Sequence, residues 1–343
     1  MRKEEVDMQL KSMIRNNPVR WGILSTANIG VKAVAPAIQA SANGKLVAVG
    51  SRDERRAGEL YTFVPGIRIY RDYESVINDP DIEAIYIPLP NSLHAEWTLK
   101  ALQAGKHVLC EKPLAITQEE GALMVDAART NDVLLMEAFM YRFHPQIVWT
   151  LEQINKGLIG PVRLVRASFS FDIRGRNENI RLQPELAGGS LMDVGCYPVN
   201  LCRAVFGRPL DVAAARVHVT GPTSVDLATN AVLDYGDGCF GLFDSSFELP
   251  SRQGAEIVGE AGILTVPVPF TPGTHDMTVF VTRNGQMSEQ NFDRIDQYQL
   301  EVEHFAACIR SGQDPALSLS ETLENLATIE AIYEAAGHDW PIL

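Results

Sequence analysis

The chain has 343 residues, more than one hydrophobic core usually holds, so two domains are expected. Its 46% apolar and 21% charged residues are typical of a globular protein, and its net charge of −13 argues against a nucleic-acid surface, which needs clustered Lys and Arg. No apolar run approaches the roughly 20 residues that cross a bilayer.

Residues 1–18 are rich in charge and lack the apolar core of a secretory signal, so we interpret them as a short N-terminal arm. The five cysteines follow no CxxC or framework spacing, which predicts reduced thiols acting as small core residues and a cytoplasmic protein. The histidines form no HxxxH pair, and no metal is predicted.

From Val19 onward, short apolar runs alternate with amphipathic stretches. The predicted strands are residues 19–24, 45–51, 67–70, 83–89, 106–110 and 133–139. Helices are predicted over 31–41, where Pro36 should kink or split the helix, from Ser92 to Gly105, and over 118–129 after a Thr117–Glu120 capping box. This alternation predicts an α/β domain, residues 19–140, with a parallel, doubly wound sheet that binds a dinucleotide.

The second half of the chain contains a succession of strands separated by Gly, Asp and Pro turns. The predicted strands are residues 162–173, 211–221, 230–236, 239–248, 254–268 and 277–286, and helices follow near 297–311 and 320–336. Such a meander predicts an α+β domain with an open, mainly antiparallel sheet that packs helices on one face. We assign residues 141–311 to substrate binding and oligomerisation, and 312–343 to a C-terminal helical segment.

The loop after the first strand is where a doubly wound sheet binds the pyrophosphate of a dinucleotide. The glycine fingerprint here is degenerate, because it reads Ser25-x-Ala27-x-x-Gly30 and keeps only the third glycine. An ordinary turn is the alternative. The residues predicted to contact the cofactor in this loop are Ser25, Thr26, Ala27, Asn28 and Ile29.

The residues after the second strand indicate which dinucleotide is bound. Ser51 and Arg52 stand where a 2′-phosphate would lie, and a guanidinium suits phosphate geometry. Asp53 follows one residue later and is expected to point away into the next helix. The sequence therefore favours NADP(H) over NAD(H). Arg55 and Arg56 can also be interpreted as a solvated surface cluster.

Several motifs together carry a family resemblance. They are the phosphate loop, Ser51–Arg52, PLPNSLH (88–94), GKHVLCEKPLA (105–115) and MEAFMYRFHPQ (136–146). Nearly the whole chain resembles the Gfo/Idh/MocA oxidoreductases, the relatives of glucose–fructose oxidoreductase and inositol dehydrogenase, and within them NADP-dependent xylose dehydrogenase and dimeric dihydrodiol dehydrogenase. The resemblance implies a Rossmann domain followed by the open-sheet domain.

The resemblance assigns roles to the residues around Lys112. It implies that Lys112 lies beside the nicotinamide and hydrogen-bonds the substrate hydroxyl, with a pKa lowered by desolvation and by the cofactor charge, and that the Lys112–Pro113 peptide is often cis. Glu111 is expected to fix Lys112 or the cofactor ribose, or else to cap a turn. His94 is expected near the nicotinamide, or else to be structural. The other cofactor contacts expected in these motifs are Pro88, Leu89 and Asn91.

A second motif, GGSLMDVGCYPVN (188–200), places Asp193 and Tyr197 four residues apart, so both side chains can face the cleft from one helix. The resemblance implies that Tyr197 is the general acid/base, with its pKa lowered by Lys112 and the nicotinamide, and that Asp193 binds an adjacent hydroxyl. Packing of the Tyr197 ring is the alternative. Tyr141 and Arg142 are substrate-binding candidates, although Arg142 could instead tie the domains together.

These features predict an NADP(H)- or NAD(H)-dependent oxidoreductase that moves a hydride to or from a hydroxyl-bearing carbon of a sugar, polyol or cyclic diol. The fold also hosts silent dinucleotide-sensing regulators, against which Lys112 and Tyr197 together argue. It hosts NAD-dependent glycosidases as well, which usually keep a histidine in the second motif where this chain has Tyr197. Gln297 and Tyr298 begin a helix that borders the site in relatives. The resemblance also implies a homodimer or a dimer of dimers, with no nucleic-acid or membrane partner.

Overall fold

A computed structural model describes residues 17–176, 178–207, 211–219 and 225–339. The predicted N-terminal arm lies outside these ranges except for its last two residues. The first sheet has six parallel strands in the order β3-β2-β1-β4-β5-β6. Its strands are β1 Val19–Leu24, β2 Gly44–Gly50, β3 Arg68–Tyr70, β4 Ala84–Ile87, β5 His107–Glu111 and β6 Leu135–Ala138.

This strand order is the doubly wound one, and it reverses direction between β1 and β4, where such sheets bind ligands at their carboxyl ends. The helices around the sheet are α1 Ala35–Ala40, α2 Glu54–Leu60, α3 Tyr73–Ile77, α4 His94–Gln103, α5 Gln118–Thr130 and α6 Pro145–Asn155. The predicted split at Pro36 is confirmed, because a π-helical turn, Gly30–Val34, precedes α1. The capping box is also confirmed, since Thr117 accepts a hydrogen bond from the Glu120 amide.

The second sheet has eight strands in the order β14-β13-β12-β11-β7-β10-β9-β8. Its strands are β7 Val162–Ser170, β8 Asp211–His218, β9 Ala228–Asp234, β10 Phe240–Ser246, β11 Arg252–Gly259, β12 Gly262–Val266, β13 Met277–Arg283 and β14 Gln286–Phe292. The prediction of a simple antiparallel meander is wrong at β7, which runs parallel to β10. The chain leaves β7 for a long excursion that includes a helix and returns through β8, so β7 ends up in the middle of the sheet.

Three further helices complete the structure. They are α7 Cys196–Phe206, α8 Gln297–Ser311 and α9 Leu319–Ala335, and a π-helical turn, Leu191–Gly195, leads into α7. Helix α8 packs back on the first domain: the rings of Trp21 and Phe305 are 5.9 Å apart, and both terminal nitrogens of Arg310 bind the Glu83 carboxylate at 2.9 and 3.0 Å. All five cysteines are buried and free, which confirms their predicted role in the core.

Candidate active site

A cleft of about 1420 Å³ lies between the two domains at the carboxyl ends of β1, β2, β4 and β5. Twelve of the predicted cofactor-binding residues line it: Ser25, Thr26, Ala27, Asn28, Ile29, Ser51, Arg52, Pro88, Leu89, Asn91, Glu111 and Lys112. Asp193 and Tyr197 line the same cleft from the second domain. The structure therefore brings together the two motifs that the sequence suggested would meet.

The phosphate loop keeps the geometry of a dinucleotide site although two glycines are replaced. Ser25 has φ +99°, a left-handed conformation that normally favours glycine, and its hydroxyl accepts a hydrogen bond from the Ala27 amide at 3.1 Å. A Cβ atom at Gly30 would lie 3.3 Å from Pro88 and 3.6 Å from Ile23, so this third glycine permits close packing of the helix against the sheet.

Charged side chains of both signs line the end of the cleft near β2: Arg52, Arg56 and Arg71 lie there with Asp53, Asp72 and Glu74. Asp53 caps α2 by accepting a hydrogen bond from the Arg56 amide at 2.9 Å, so its carboxylate points into the helix as predicted. Arg52 and Arg56 both line the cleft, which the surface interpretation of Arg56 missed. Asp53 lines the cleft too, but its Oδ1 is engaged as the cap of α2, which leaves the guanidinium groups of Arg52 and Arg56 available where the adenosine ribose of a dinucleotide is expected.

Lys112 lies at the end of β5, and the Lys112–Pro113 peptide is cis, as the resemblance implied. Its Nζ atom donates to the carbonyl oxygen of Asp193 at 2.7 Å and to Asp193 Oδ1 at 3.2 Å. Burial alone would lower the pKa of Lys112, but Asp193 together with Cys196 and Glu111 outweighs burial, and the pKa is raised. The predicted lowering is wrong, because it did not include this ion pair across the domain boundary.

Asp193 is held between two cations. Arg181 Nε binds Asp193 Oδ2 at 2.6 Å, on the opposite side of the carboxylate from Lys112. Burial by itself would raise the pKa of Asp193. Arg181 and Lys112 together lower this pKa by more than burial raises it, and the result is about 2. Asp193 is therefore ionised at neutral pH and can accept hydrogen bonds from substrate hydroxyls.

Tyr197 packs its ring and reaches the cleft at the same time. Phe139, Phe169 and Phe270 surround the ring with centroid distances of 5.4 to 5.5 Å. The hydroxyl contacts Met140 Sδ at 3.5 Å, and Lys112 Nζ lies 5.2 Å from the ring centroid. Burial raises the pKa of Tyr197 well above its usual range, so the predicted lowering is also wrong.

The structure does not place His94 in the cleft. The ring is fully buried at the start of α4, and its nitrogens lie 2.8 Å from the Pro113 carbonyl and 2.9 Å from the Leu89 carbonyl. Burial lowers the pKa of His94 to about 4, which makes the ring neutral. The expected cofactor contact is corrected to the structural alternative: His94 fixes two loops that carry cleft residues.

Tyr141 and Arg142 also lie outside the cleft. The Tyr141 hydroxyl donates to Asn200 Oδ1 at 2.5 Å, and the Tyr141 ring is fully buried. Arg142 Nη1 binds Glu321 Oε1 at 2.5 Å and Asn200 Oδ1 at 3.1 Å. Tyr141 therefore joins the turn after β6 to α7, and Arg142 joins it to both α7 and α9, which agrees with the structural alternative given for Arg142; neither residue is placed to bind substrate.

Glu111 and Asn91 line the cleft, as predicted, and each is also hydrogen-bonded to another residue of the protein. Tyr86 donates its hydroxyl to Glu111 Oε1 at 2.5 Å, and Asn91 Nδ2 donates to the Ala187 carbonyl at 2.8 Å across the domain boundary. Burial raises the pKa of Glu111. The cleft also receives Tyr298, at the start of α8, as the family resemblance led us to expect.

The sequence analysis missed Arg181, which the structure places beside Asp193. It lies between β7 and the π-helical turn, in a stretch with no motif and no regular periodicity. The related signal in the sequence is the Gly188–Gly189 pair, since two glycines permit a close backbone approach, and a Cβ atom at Gly188 would lie 2.3 Å from the Arg181 carbonyl oxygen. Within the described ranges, no group of His, Cys, Asp or Glu could hold a metal ion, and no helix is long and apolar enough to cross a membrane.

Comparison with known proteins agrees with this geometry. Residues 19–139 match the family described as an oxidoreductase family with an NAD-binding Rossmann fold, and residues 150–265 match the GFO/IDH/MocA C-terminal domain. D-xylose 1-dehydrogenase (NADP(+)) 2 of Haloferax volcanii is 40% identical over 92% of this chain and 97% of its own. Mouse (Mus musculus) trans-1,2-dihydrobenzene-1,2-diol dehydrogenase is 32% identical, over 94% and 98%.

Among solved structures, the 3-ketoreductase KijD10 from Actinomadura kijaniata, in complex with NADP and TDP-benzene, is similar with a TM-score of 0.88. It is 30% identical to this chain, and the match covers 93% of this chain and 98% of that one. The two matched domains, the degenerate phosphate loop and the meeting of Lys112 with Asp193 in the interdomain cleft lead to one conclusion: this chain belongs to the Gfo/Idh/MocA family of oxidoreductases.

Proposed function

We propose that this protein is an NADP(H)-dependent dehydrogenase or reductase that acts on a hydroxyl-bearing carbon of a sugar, polyol or cyclic diol. The observation that carries the proposal is the convergence of Lys112, Asp193 and Tyr197 on one cleft at the carboxyl ends of a doubly wound sheet. The named activities of the xylose and dihydrodiol dehydrogenases support this substrate class.

The residues of the cleft fit NADP(H). The phosphate loop would hold the pyrophosphate, since it packs without side chains at Gly30 and keeps Ser25 in a glycine-like conformation. Arg52 and Arg56 would bind the 2′-phosphate, because both line the cleft while Asp53 is occupied as a helix cap. When bound, NADP(H) supplies or accepts the hydride.

The residues of the second domain would orient the substrate and handle its proton. Asp193 is ionised and would accept a hydrogen bond from one hydroxyl, while Lys112 would donate to the oxygen of the reacting carbon. Tyr197 carries its proton at neutral pH, because its pKa is raised, so in the reducing direction its hydroxyl would give that proton to the carbonyl oxygen.

Charge at this end of the cleft favours an uncharged substrate. Lys112 and Arg181 are both paired with the single carboxylate of Asp193, and Glu111 lies next to Lys112 in sequence at the same wall. These two cations and two carboxyl groups leave no strong surplus for an acidic or basic substrate. A neutral polyhydroxyl compound fits the hydrogen-bonding groups that remain.

The test is a nicotinamide absorbance assay with NADP⁺ and NAD⁺ against a panel of aldoses, polyols and dihydrodiols. We expect turnover of at least one compound with NADP⁺. Arg52→Ala should raise the KM for NADP⁺ about 10-fold or more through loss of charge-assisted hydrogen bonds, and should leave the KM for NAD⁺ nearly unchanged. Tight cofactor binding with no turnover across the panel would support a dinucleotide sensor instead.

We also propose a homodimer, or a dimer of dimers, built through the outer face of the second sheet, and a cytoplasmic location. The assembly proposal is supported by half-exposed apolar side chains on that face. The location is supported by the five free, buried thiols.

A further inference from the structure

Arg181 lies at the second-domain wall of the cleft, on a one-turn helix, Ile180–Leu182, between β7 and the turn that carries Asp193. Its side chain is 39% exposed, and its guanidinium group lies 5.6 Å from the centre of the Phe171 ring. Nε binds Asp193 Oδ2 at 2.6 Å, and no other side-chain hydrogen bond joins Arg181 to the described residues. Among the described residues, the Arg181 guanidinium group therefore hydrogen-bonds to one carboxylate, that of Asp193, at the mouth of the cleft.

The backbone of Arg181 is fixed as firmly as its side chain. Its amide donates to Asn179 Oδ1 at 3.1 Å, and its carbonyl oxygen accepts a hydrogen bond from the Gly189 amide at 2.9 Å. A Cβ atom at Gly188 would lie 2.3 Å from that carbonyl oxygen, which no side chain could tolerate. The glycine pair thus allows the Arg181 segment to dock directly before the turn that begins at Leu191.

The two oxygens of Asp193 have different partners from different domains. Oδ2 is held by Arg181 of the second domain, and Oδ1 faces Lys112 of the first domain at 3.2 Å. Because Arg181 fixes one oxygen, the carboxylate plane is set and the other oxygen points at Lys112. A substrate hydroxyl that binds Asp193 is then also presented to Lys112.

We propose that Arg181 is a positioning residue for the reaction: it orients the Asp193 carboxylate so that Asp193 and Lys112 engage the same substrate. This inference rests on the proposed function. The titratable groups that face Asp193 from the elements packed around it are Lys112, Glu111, Arg181, Cys196 and Tyr197. Arg181 and Lys112 are the two that carry positive charge.

The sign of the pH effect follows from these contacts. Burial raises the pKa of Asp193 and the two cations lower it, so removal of the Arg181 charge moves that pKa upward. Asp193 must be ionised to pair with Lys112 and to accept a charge-assisted hydrogen bond from the substrate. The acidic limb of the kcat/KM profile should therefore move to higher pH in a variant that lacks the guanidinium.

The experiment compares Arg181→Gln, Arg181→Lys and a control, Arg174→Gln. Arg174 lies on the same segment and pairs with Asp172 at 2.7 Å, but it does not line the cleft. We expect Arg181→Gln to lower kcat/KM about 10-fold or more and to shift the acidic limb upward by about one pH unit, since one unit corresponds to one lost charge-assisted contact. Arg181→Lys should recover much of the shift, and Arg174→Gln should behave as wild type.

A second readout does not depend on turnover. The Asp193 carboxyl pKa is measured by carbon NMR in the cofactor-free protein, with Asp193→Asn to assign the signal, and it should rise in Arg181→Gln. An unchanged carboxyl pKa, or a loss of kcat/KM with no shift of the limb, would overturn the proposal. If wild type turns over no substrate, the proposed function fails, while the NMR titration still decides whether Arg181 controls Asp193.

Discussion

Lys112 and Tyr197 are the two side chains proposed to handle the proton, and they lie close together without sharing a hydrogen bond, since Nζ approaches the Tyr197 ring. If both act on one substrate hydroxyl, Lys112→Met and Tyr197→Phe should each lower kcat by about 10²-fold or more. The double variant should lose much less than the product of the single losses, because residues that act as a unit are not additive. The kcat values of the two single variants and of the double variant are measured from initial rates with NADP⁺.

Tyr141→Phe is the matched control for this prediction. The Tyr141 ring lies 5.7 Å from the Tyr197 ring, but its hydroxyl binds Asn200 outside the cleft. Removal of that hydroxyl should change stability more than kcat. A Tyr197→Phe enzyme that turns over at nearly the wild-type rate across pH would mean that Tyr197 is a core residue, and the proposed proton transfer would be wrong.

At the same scale, the sequence predicted which loops meet but not which way each side chain turns. Lys112, Asp193 and Tyr197 were predicted from the family resemblance, with which strand ends and the i, i+4 spacing agree because they place whole segments at the cleft. His94, Tyr141 and Arg142 come from neighbouring positions in the same motifs, yet buried carbonyl and amide partners hold them elsewhere. The pKa directions of Lys112 and Tyr197 depended on contacts that form only in the folded chain.

One buried carboxylate, Asp226, holds the start of the turn that carries Asp193 through hydrogen bonds. Asp226 Oδ2 accepts hydrogen bonds from the Ser190 hydroxyl at 2.7 Å, the Leu191 amide at 2.8 Å and the Thr229 hydroxyl at 2.7 Å. Its Oδ1 accepts one from the Tyr333 hydroxyl at 2.7 Å. The start of the turn that carries Asp193, strand β9 and helix α9 are thus joined at a single fully buried residue.

Asp226→Ala should lower the free energy of unfolding by about 3 kcal/mol, because it leaves several buried donors without an acceptor. Urea unfolding followed by circular dichroism measures the change. Asp172→Ala, which removes an exposed carboxylate paired with Arg174, is the control and should leave the unfolding midpoint in place. Equal midpoints for wild type and Asp226→Ala would show that water replaces the carboxylate at no cost.

At the scale of elements, apolar runs located the strands of the first sheet to within about two residues, and the signal is plainest for β4 and β6, which are buried on both faces. The second sheet was harder. Residues 254–268 were predicted as one strand but form the hairpin of β11 and β12, and β14 was missed because its sequence, QMSEQNF, is polar and lies at an exposed edge. The parallel pairing of β7 with β10 has no local signal, since it joins residues about 75 positions apart.

At the scale of the whole molecule, helices α8 and α9 return to the first domain and hold the two sheets around one cleft. Beside the Arg310–Glu83 pair, Glu303 of α8 accepts a hydrogen bond from the Ala42 amide at 2.9 Å, and Glu330 of α9 accepts one from the Gln118 amide at 2.9 Å. These contacts span more than 200 residues of sequence. The hydrophobic pattern of the sequence predicted both helices, but it did not indicate where they pack on the first domain.

The outer face of the second sheet is the surface that the proposed dimer would cover. Leu242 lies at its centre, half-buried and paired with Val232 on β9 and Arg166 on β7, while Phe240 is 36% exposed on the same strand. The opposite side of these strands is packed in the core, for example at Phe243. An open face of this kind, with apolar side chains among charged ones, is typical of a subunit interface.

Leu242→Glu should therefore disrupt the assembly. A carboxylate at this position would lose contact with water in the dimer at each of two symmetric sites, and that desolvation can cost more than an ion pair with the neighbouring Arg166 returns, whereas in the monomer the carboxylate stays hydrated. For wild type, we expect light scattering at micromolar concentration to give two or four times the mass of one chain. For Leu242→Glu, we expect half of the wild-type mass. Leu123→Glu is the matched control, because Leu123 is 55% exposed on α5 of the other domain and should leave the mass unchanged. A monomeric wild type, or a Leu242→Glu variant with the wild-type mass and a folded circular dichroism spectrum, would contradict assembly through this face.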